Sequence, residues 1–367
     1  RPPIPRLGEK LWRWQRNAII SWKENKGCGI VEAVTGTGKT RVAIYIISTL
    51  VKNGHRALII VPSLVLLEQW KTAIEIDLGF EVTSMLGGNY GRRIDMGCPV
   101  TIGTVQSVAP IGNALRNYFK LIVADECHRY GAETFQHALL PDVRYRMGLT
   151  ATLERSDNGV DEVLVPYFDR KVLSYDFGQA RKDRVIAPYG VACIGVKLSS
   201  QEQLDYDEAG RNSGRARWSL VQNFGYPNQF GQFIAKAQSA SAYGDHEGVL
   251  ARQFLSGIQR RKQIISETPA KQEVIPYIAA GIREASSTLV FCETKDAAET
   301  LSEQLNDQGV ISMPYHSGLS TASRDEILED LTSGWLNCVV AVRALDEGVD
   351  LPEVDCGVII SGTSQKR

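Results

Sequence analysis

The chain has no Cys-x-x-Cys pair, although it contains seven cysteines. That spacing marks zinc ribbons and thiol redox centres, and an odd number of cysteines cannot all pair within one chain. Cys28, Cys98, Cys127, Cys193, Cys292, Cys338 and Cys356 therefore read as reduced thiols of a cytoplasmic compartment, or a nuclear one in a eukaryote. No apolar run approaches the ~20 residues of a membrane helix. The longest, such as ALIIV from Ala57 and CVVAV from Cys338, have the length of buried strands. The opening RPPIPRLGEKLWRW lacks the apolar stretch of a secretory signal. No low-complexity tract or short repeat is present, and no membrane partner is expected. Excess charge is lacking too. Lys and Arg number 41 against 42 Asp and Glu, a net charge of −1. Taken alone, that total argues against a chain that wraps nucleic acid with its whole surface.

What is present is an ordinary globular mixture over 367 residues, 43% apolar and 23% charged. The length suits two or three domains. Short apolar runs end in polar or turn residues at 29–34 (GIVEAV), 57–62 (ALIIVP), 100–104 (VTIGT) and 121–126 (LIVADE). Amphipathic stretches of helical length lie between them, such as 39–54, with Gly54 placed as a C-terminal cap. Strands alternating with helices imply a parallel sheet with crossover connections, and continuous apolar runs suit its buried centre. The pattern returns at 288–293, 338–343 and 357–362, so the fold class is α/β with two lobes of similar plan. Residues 191–199 (VACIGVKLS) read as a strand that already belongs to the second lobe. The expected division is 1–168 for the first lobe and 169–200 with 267–367 for the second. Residues 201–266 form a mostly helical insertion, broken near Gly225, Pro227 and Gly244.

The strongest local signal is AVTGTGKT at 33–40, a G-x-x-x-x-G-K-[ST] phosphate loop with Ala33 in place of the first glycine. It follows a strand and opens a helix. Thr35, Gly36, Thr37 and Gly38 would curl their amides around phosphate oxygens of ATP. Lys39 would reach the terminal phosphates and Thr40 would ligate Mg²⁺. About 85 residues on, LIVADECH delivers Asp125 and Glu126 to the end of another strand, where open α/β sheets bind ligands. Asp125 suits Mg²⁺ and Glu126 suits the base that positions an attacking water. His128 gains its catalytic reading from these neighbours.

AVTGTGKT, DECH at 125–128 and GLTAT at 148–152, in that order, resemble the motifs of superfamily 2 helicases and translocases, the DEAD/DEAH-like motors. The likeness is greatest to XPB-type repair helicases, phage UvsW-type helicases and the motor subunits of restriction enzymes. It implies two RecA-like parallel-sheet lobes with ATP between them. Gln15 falls where these proteins carry an adenine-reading glutamine. Pro62, Ser63, Gly87, Gly88, Thr104, Gln106 and Ser107 match strand-contacting motifs, as do His316, Ser317 and Gly318 in the second lobe. Thr150 and Thr152 match residues that couple nucleotide to nucleic acid, and Gly348 and Asp350 match residues that face the nucleotide. The chain departs from the pattern at Trp12, where relatives often carry Arg, and at Val342, where they carry Thr. It stops at SGTSQKR, before the arginine-rich last motif, so further domains or partner subunits are expected beyond Arg367.

Charge is unevenly spread. Residues 209–266 carry eight Lys or Arg against Asp245 and Glu247, a local charge of +6. Arg211, Arg215, Arg217, Arg260 and Arg261, interleaved with aromatics, suit a groove that tracks a nucleic-acid backbone. The aromatics equally suit a small core of the insertion, since Phe230 and Phe233 have helical spacing. The loop ERSDNG at 154–159 reads either as a nucleic-acid neighbour or as a surface turn. The expected function is an ATP-dependent DNA helicase or translocase, the motor of a restriction, anti-phage or repair system. An RNA helicase or double-stranded RNA sensor is the alternative, as is an ATP-gated clamp with little turnover. The XPB-like stretch ARKDRVIAPYGV at 180–191 favours DNA.

Overall fold

The structure is a computed structural model that describes residues 11–78, 84–91, 94–95, 97–115, 117–132, 134–155, 157–342 and 354–360. It divides into two compact units, one through Val191 and one from Ala192.

The first unit contains α1 (Arg13–Glu24), β1 (Cys28–Ala33), α2 (Lys39–Lys52), β2 (Ala57–Val61), α3 (Leu64–Leu78) and β3 (Ser84–Leu86). It continues through β4 (Val100–Thr104), the one-turn α4 (Val105–Val108), β5 (Leu121–Ala124), β6 (Tyr145–Thr150), α5 (Val165–Phe168), β7 (Lys171–Tyr175) and α6 (Phe177–Lys182). The seven strands form one parallel sheet in the order β3-β4-β2-β5-β6-β1-β7. Parallel strands need crossovers, and crossovers cover both faces, so every residue of β2, β4 and β5 is buried. Side chains alternate between faces. Ile59 of β2 joins the core of Trp14, Ile44 and Trp70 from the helices on one side. Leu58 and Ile60 join Tyr130 and Phe168 on the other. Helix α2 stops at Gly54, whose φ of 77° places it in the left-handed region. The amide of Gly54 then reaches the carbonyl of Val51, and that of His55 reaches Leu50.

The second unit contains α7 (Ser200–Phe224), α8 (Phe230–Ala240), α9 (His246–Glu267) and α10 (Ile275–Glu284), then β8 (Thr288–Cys292), α11 (Lys295–Asp307), β9 (Ser312–Tyr315), α12 (Thr321–Ser333), β10 (Cys338–Val342) and β11 (Cys356–Ile359). Its strands are parallel in the order β11-β8-β10-β9. Pro314 sits in β9, an edge strand, where a missing amide disturbs no central ladder. Helices α7, α8 and α9 enclose their own core of Leu220, Tyr226, Phe233, Ala251 and Phe254. No helix among the described residues is long and apolar enough to cross a membrane.

Two sequence expectations are corrected. The lobe boundary at 168/169 is too early, because β7 pairs with β1 and extends the first sheet. Residues 191–199 form no strand. Ala192, Ile194, Val196 and Leu198 alternate as a strand face would, but a strand needs a neighbour to take its amides and carbonyls, and among the described residues none does. Val191 and Ile194 are exposed there.

Candidate nucleotide and nucleic-acid sites

Apart from Gln15 on α1, the motifs of the first unit lie at or just after the carboxyl ends of parallel strands, so the sheet collects them along one edge. The phosphate loop follows β1, Ser63 follows β2, Gly87 follows β3, Thr104 ends β4, Asp125 follows β5 and Thr150 ends β6.

In the phosphate loop Gly36 and Gly38 have φ of 76° and 82°, a region that a residue with a Cβ enters only under strain. Thr37 is buried and its hydroxyl donates to the Val34 carbonyl at 2.7 Å. Lys39 Nζ donates to the Ala33 carbonyl at 2.8 Å. Burial pulls the Lys39 ammonium below the ordinary lysine value, against the opposing pull of Glu126 and Asp125. Thr35 and Gly36 are exposed, and Thr40 lies half-buried in the first turn of α2. Gln15 is fully buried beneath the loop. Its Nε2 donates to the carbonyls of Gly38 at 3.0 Å and Thr37 at 3.3 Å, while its Oε1 accepts from the Trp12 amide. The glutamine thus fastens the loop to α1, a role its place in the motif did not reveal.

Asp125 is buried, with Oδ2 accepting from Trp70 Nε1 at 2.7 Å and Oδ1 from the Glu126 amide at 3.0 Å. Burial, reinforced by the Glu126 charge, lifts its carboxyl to about 6. A desolvated carboxylate of this kind fits a cation arriving with phosphates, and Thr40 is the hydroxyl that would share Mg²⁺ with it. Glu126 has φ 48°. Burial raises its carboxyl, but His128, Lys39 and Arg129 outweigh that and hold it below the usual value. His128 Nδ1 lies 3.4 Å from Glu126 Oε2 and 3.0 Å from Thr150 Oγ1. The Thr150 hydroxyl donates to the Thr152 carbonyl at 2.7 Å and accepts from the Thr152 amide at 3.2 Å. The one Thr150 proton is therefore taken, and His128 Nδ1 carries the hydrogen it shares. Arg155 donates to the His128 carbonyl and grips Asp157 with two nitrogens at 2.6 and 2.7 Å.

Two residues at this edge escaped the sequence reading. Trp70, inside α3, carried no signal. Glu32 did carry one, as a lone acid within the apolar run GIVEAV. Its carboxylate accepts from the Leu153 amide at 2.9 Å, Lys171 Nζ at 2.7 Å and Ser174 at 3.0 Å, tying the loop after β6 to β7.

The candidate strand-contacting residues of the first unit are brought together. Thr104 Oγ1 donates to Ser107 Oγ at 2.9 Å, and both lie against Gly87, where a Cβ would come within 2.9 Å of Thr104. Gly88 lies against Leu64, beside Ser63, and Ser63 Oγ accepts the Leu66 amide at 3.3 Å as a cap of α3. Gln106 is exposed and Pro62 is buried. In the second unit His316 is buried at the end of β9. Its Nδ1 accepts from the Gly318 amide at 3.1 Å, so Nε2 is the donor to Glu299 at 2.8 Å. Ser317 and Gly318 are exposed beside it. Gly348 and Asp350 lie outside the described residues.

The aromatics of the insertion divide between core and surface. Phe233 and Phe254 are core, whereas Trp218 and Tyr243 are about two-thirds exposed. Arg217 stacks on Phe233 at 5.4 Å, Arg261 on Tyr206 at 4.3 Å, and Arg260 meets Asp205 at 3.3 Å. Arg211 and Arg215 are exposed one helical turn apart, in line with Trp218. The run counted as +6 starts partway along α7, whose first half carries Glu202, Asp205, Asp207 and Glu208.

Residues 9–155 match the family described as type III restriction enzyme, res subunit, and residues 270–366 match the helicase conserved C-terminal domain. The DNA 3'-5' translocase XPB2 of Sulfurisphaera tokodaii is 28% identical over 374 residues, covering 100% of this chain and 78% of the relative. The putative DNA 3'-5' helicase Rad25 of Halobacterium salinarum is 25% identical over 94% of this chain, which spans 48% of that relative. The helicase domain of Hef from Pyrococcus furiosus superposes with a TM-score of 0.63 at 16% identity, covering 98% of this chain and 91% of that one. With a restriction-type and a helicase region in this order, each over a parallel sheet, the chain belongs to the superfamily 2 helicases and translocases, the nucleic-acid-dependent ATPases.

Proposed function

We propose that the protein hydrolyses ATP to move along DNA, in the 3'-5' direction that the relatives' names carry, as a motor of restriction, anti-phage defence or repair. The observation that carries this reading is the connected path Glu126–His128–Thr150–Thr152. It links the acid beside the phosphate loop to the loop that would sense a bound strand, so a change at either end is felt at the other. Lys39 and the loop amides hold the phosphates, and Lys39 exchanges its bond to Ala33 for them. Thr40 and Asp125 hold Mg²⁺, which when bound neutralises charge on the phosphates. Glu126, kept ionised by its cationic neighbours, orients and deprotonates the attacking water. In the first unit Ser63, Gly87, Gly88, Thr104 and Ser107 contact the nucleic-acid backbone, and in the second unit His316 positions Ser317 and Gly318 for a backbone contact of their own. Arg211, Arg215 and Trp218 add a basic and aromatic stripe on α7.

The test compares ATP turnover without nucleic acid and with duplex DNA, single-stranded DNA or double-stranded RNA. DNA stimulation that vanishes in Lys39→Ala and in Glu126→Gln is the expected result. Turnover unchanged in either variant overturns the reading. Stimulation by RNA alone would favour an RNA helicase, and tight ATP binding without stimulated hydrolysis would favour a clamp.

A further inference from the structure

The nucleotide and strand motifs of the first unit lie at the carboxyl edge of its sheet. At the opposite edge is a cavity of about 410 Å³ that none of them uses. It lies where Lys26 and Gly27 lead into β1, where Arg144 leads into β6, and beside Thr49 and Leu50 near the end of α2. The phosphate loop is at the other end of α2, ~20 Å away for a helix of this length.

The floor is apolar. Trp22 and Ile46 are buried, and Tyr145 lies 5.9 Å from Trp22 between ring centres. The indole is fixed by donation to the Arg146 carbonyl at 3.0 Å. Gly27 has φ 77°, and a Cβ there would collide with the Tyr145 ring, so the backbone itself forms one wall. The rim is cationic. Lys23, Lys26 and Arg144 are exposed, no Asp or Glu lines the cavity, and none of the three joins an ion pair among the described residues. Arg144 stacks on Tyr145 at 5.4 Å and Lys23 on Tyr45 at 5.8 Å. Lys26 adopts φ 58°, a left-handed conformation strained for any residue with a Cβ, and it keeps a cation at the rim where glycine would fit more easily.

We infer that this cavity docks an acidic segment of a partner protein. One bulky apolar side chain of the segment rests on Trp22, Ile46 and Tyr145, and carboxylates on either side meet Lys23, Lys26 and Arg144. Three unpaired cations attract such a segment and repel a basic one. The aromatic and aliphatic floor supplies an anchor site of the kind that dominates peptide affinity.

The experiment uses the whole chain and a short fluorescent peptide of Asp and Glu residues around one leucine, read by anisotropy. Competitors are the same peptide with Asn and Gln for its acids, the peptide with serine for leucine, single-stranded DNA and ATP. The acidic leucine peptide is expected to bind and to resist displacement by ATP and by DNA. Lys26→Gly, which relaxes the backbone while removing one cation, and Arg144→Glu are each expected to weaken it about tenfold. Equal binding by both variants, or by the Asn/Gln peptide, overturns the proposal. Displacement by the DNA strand instead assigns these cations to nucleic acid and also overturns it.

Discussion

His128 Nδ1 stands 3.0 Å from Thr150 Oγ1, joining the loop after β5 to the end of β6. The bond crosses between two adjacent strands that are also joined by backbone pairing. Thr150→Val keeps the side-chain shape and removes the hydroxyl. The amide and carbonyl of Thr152 and the imidazole of His128 are each deprived of a partner, which costs about 1–3 kcal/mol of stability. ATP binding is expected to persist, while the factor by which DNA accelerates hydrolysis falls about tenfold or more. Binding of a fluorescent ATP analogue beside steady-state turnover, with and without DNA, separates the two effects.

Glu32 makes a second link across the same edge, and its stability contribution depends on pH. Burial acts to raise its carboxyl, but Lys171, the Leu153 amide and Ser174 together hold it below the ordinary 4.5. A carboxyl with a lowered folded-state value stabilises the fold above its unfolded value and loses that contribution as pH falls through the folded one. Glu32→Gln is therefore expected to destabilise the protein near pH 7 by on the order of 1 kcal/mol, since Lys171 is part-exposed and solvent screens the pair. The gap between the wild-type and variant melting temperatures should close below pH 4.5. A gap constant across that range would remove Glu32 from this role.

Most interior strands were legible because burial on both faces demands apolar runs, as in β2, β5, β8 and β10, whereas interior β6 opens on Tyr145 and Arg146 and showed no such run. The edges were not. β3 has three residues, β9 contains Pro314, and β7 mixes exposed Lys171 and Ser174 with buried Tyr175. Residues 191–199 show the converse, since their alternation reports a face suited to a sheet and nothing about a neighbour to pair with. At the site, Lys39, Asp125 and Glu126 were readable from spacing after a strand. Trp70 was not, because its partner Asp125 lies 55 residues away and a tryptophan inside a helix ordinarily reports only core.

The cysteines offer a test of burial in both units. Cys193 is exposed, Cys28 and Cys356 are half-buried, and Cys98, Cys127, Cys292 and Cys338 are buried. Burial lifts the Cys292 thiol to about 11 and the Cys338 thiol to about 12. Only the thiolate reacts. Iodoacetamide at about pH 8, close to an ordinary thiol's own value, should therefore modify Cys193 first in the native protein. Peptide mass analysis should find Cys292 and Cys338 unmodified until denaturant is added.

The insertion tests whether exposure separates core aromatics from stacking ones. Phe233 is fully buried, with Phe254 4.7 Å away, and Arg217 over its ring. Phe233→Ala should cost about 3–5 kcal/mol, seen as early melting of the helical insertion. Trp218 is 66% exposed and in line with Arg211 and Arg215. Trp218→Ala should leave the melting temperature unchanged and weaken single-stranded DNA binding by about 1–3 kcal/mol, the value of one stacked base. Replacing Arg211 and Arg215 with alanine should reduce the slope of log affinity against log salt by up to ~1.4, about 0.7 for each phosphate no longer neutralised. A slope unchanged in that double variant would move the strand off α7, since a cation that touches phosphate must release a counterion when it binds. Arg252 and Arg260 would then remain as exposed arginines on α9, and the ion pair of Arg260 to Asp205 would have to open before it could reach a strand.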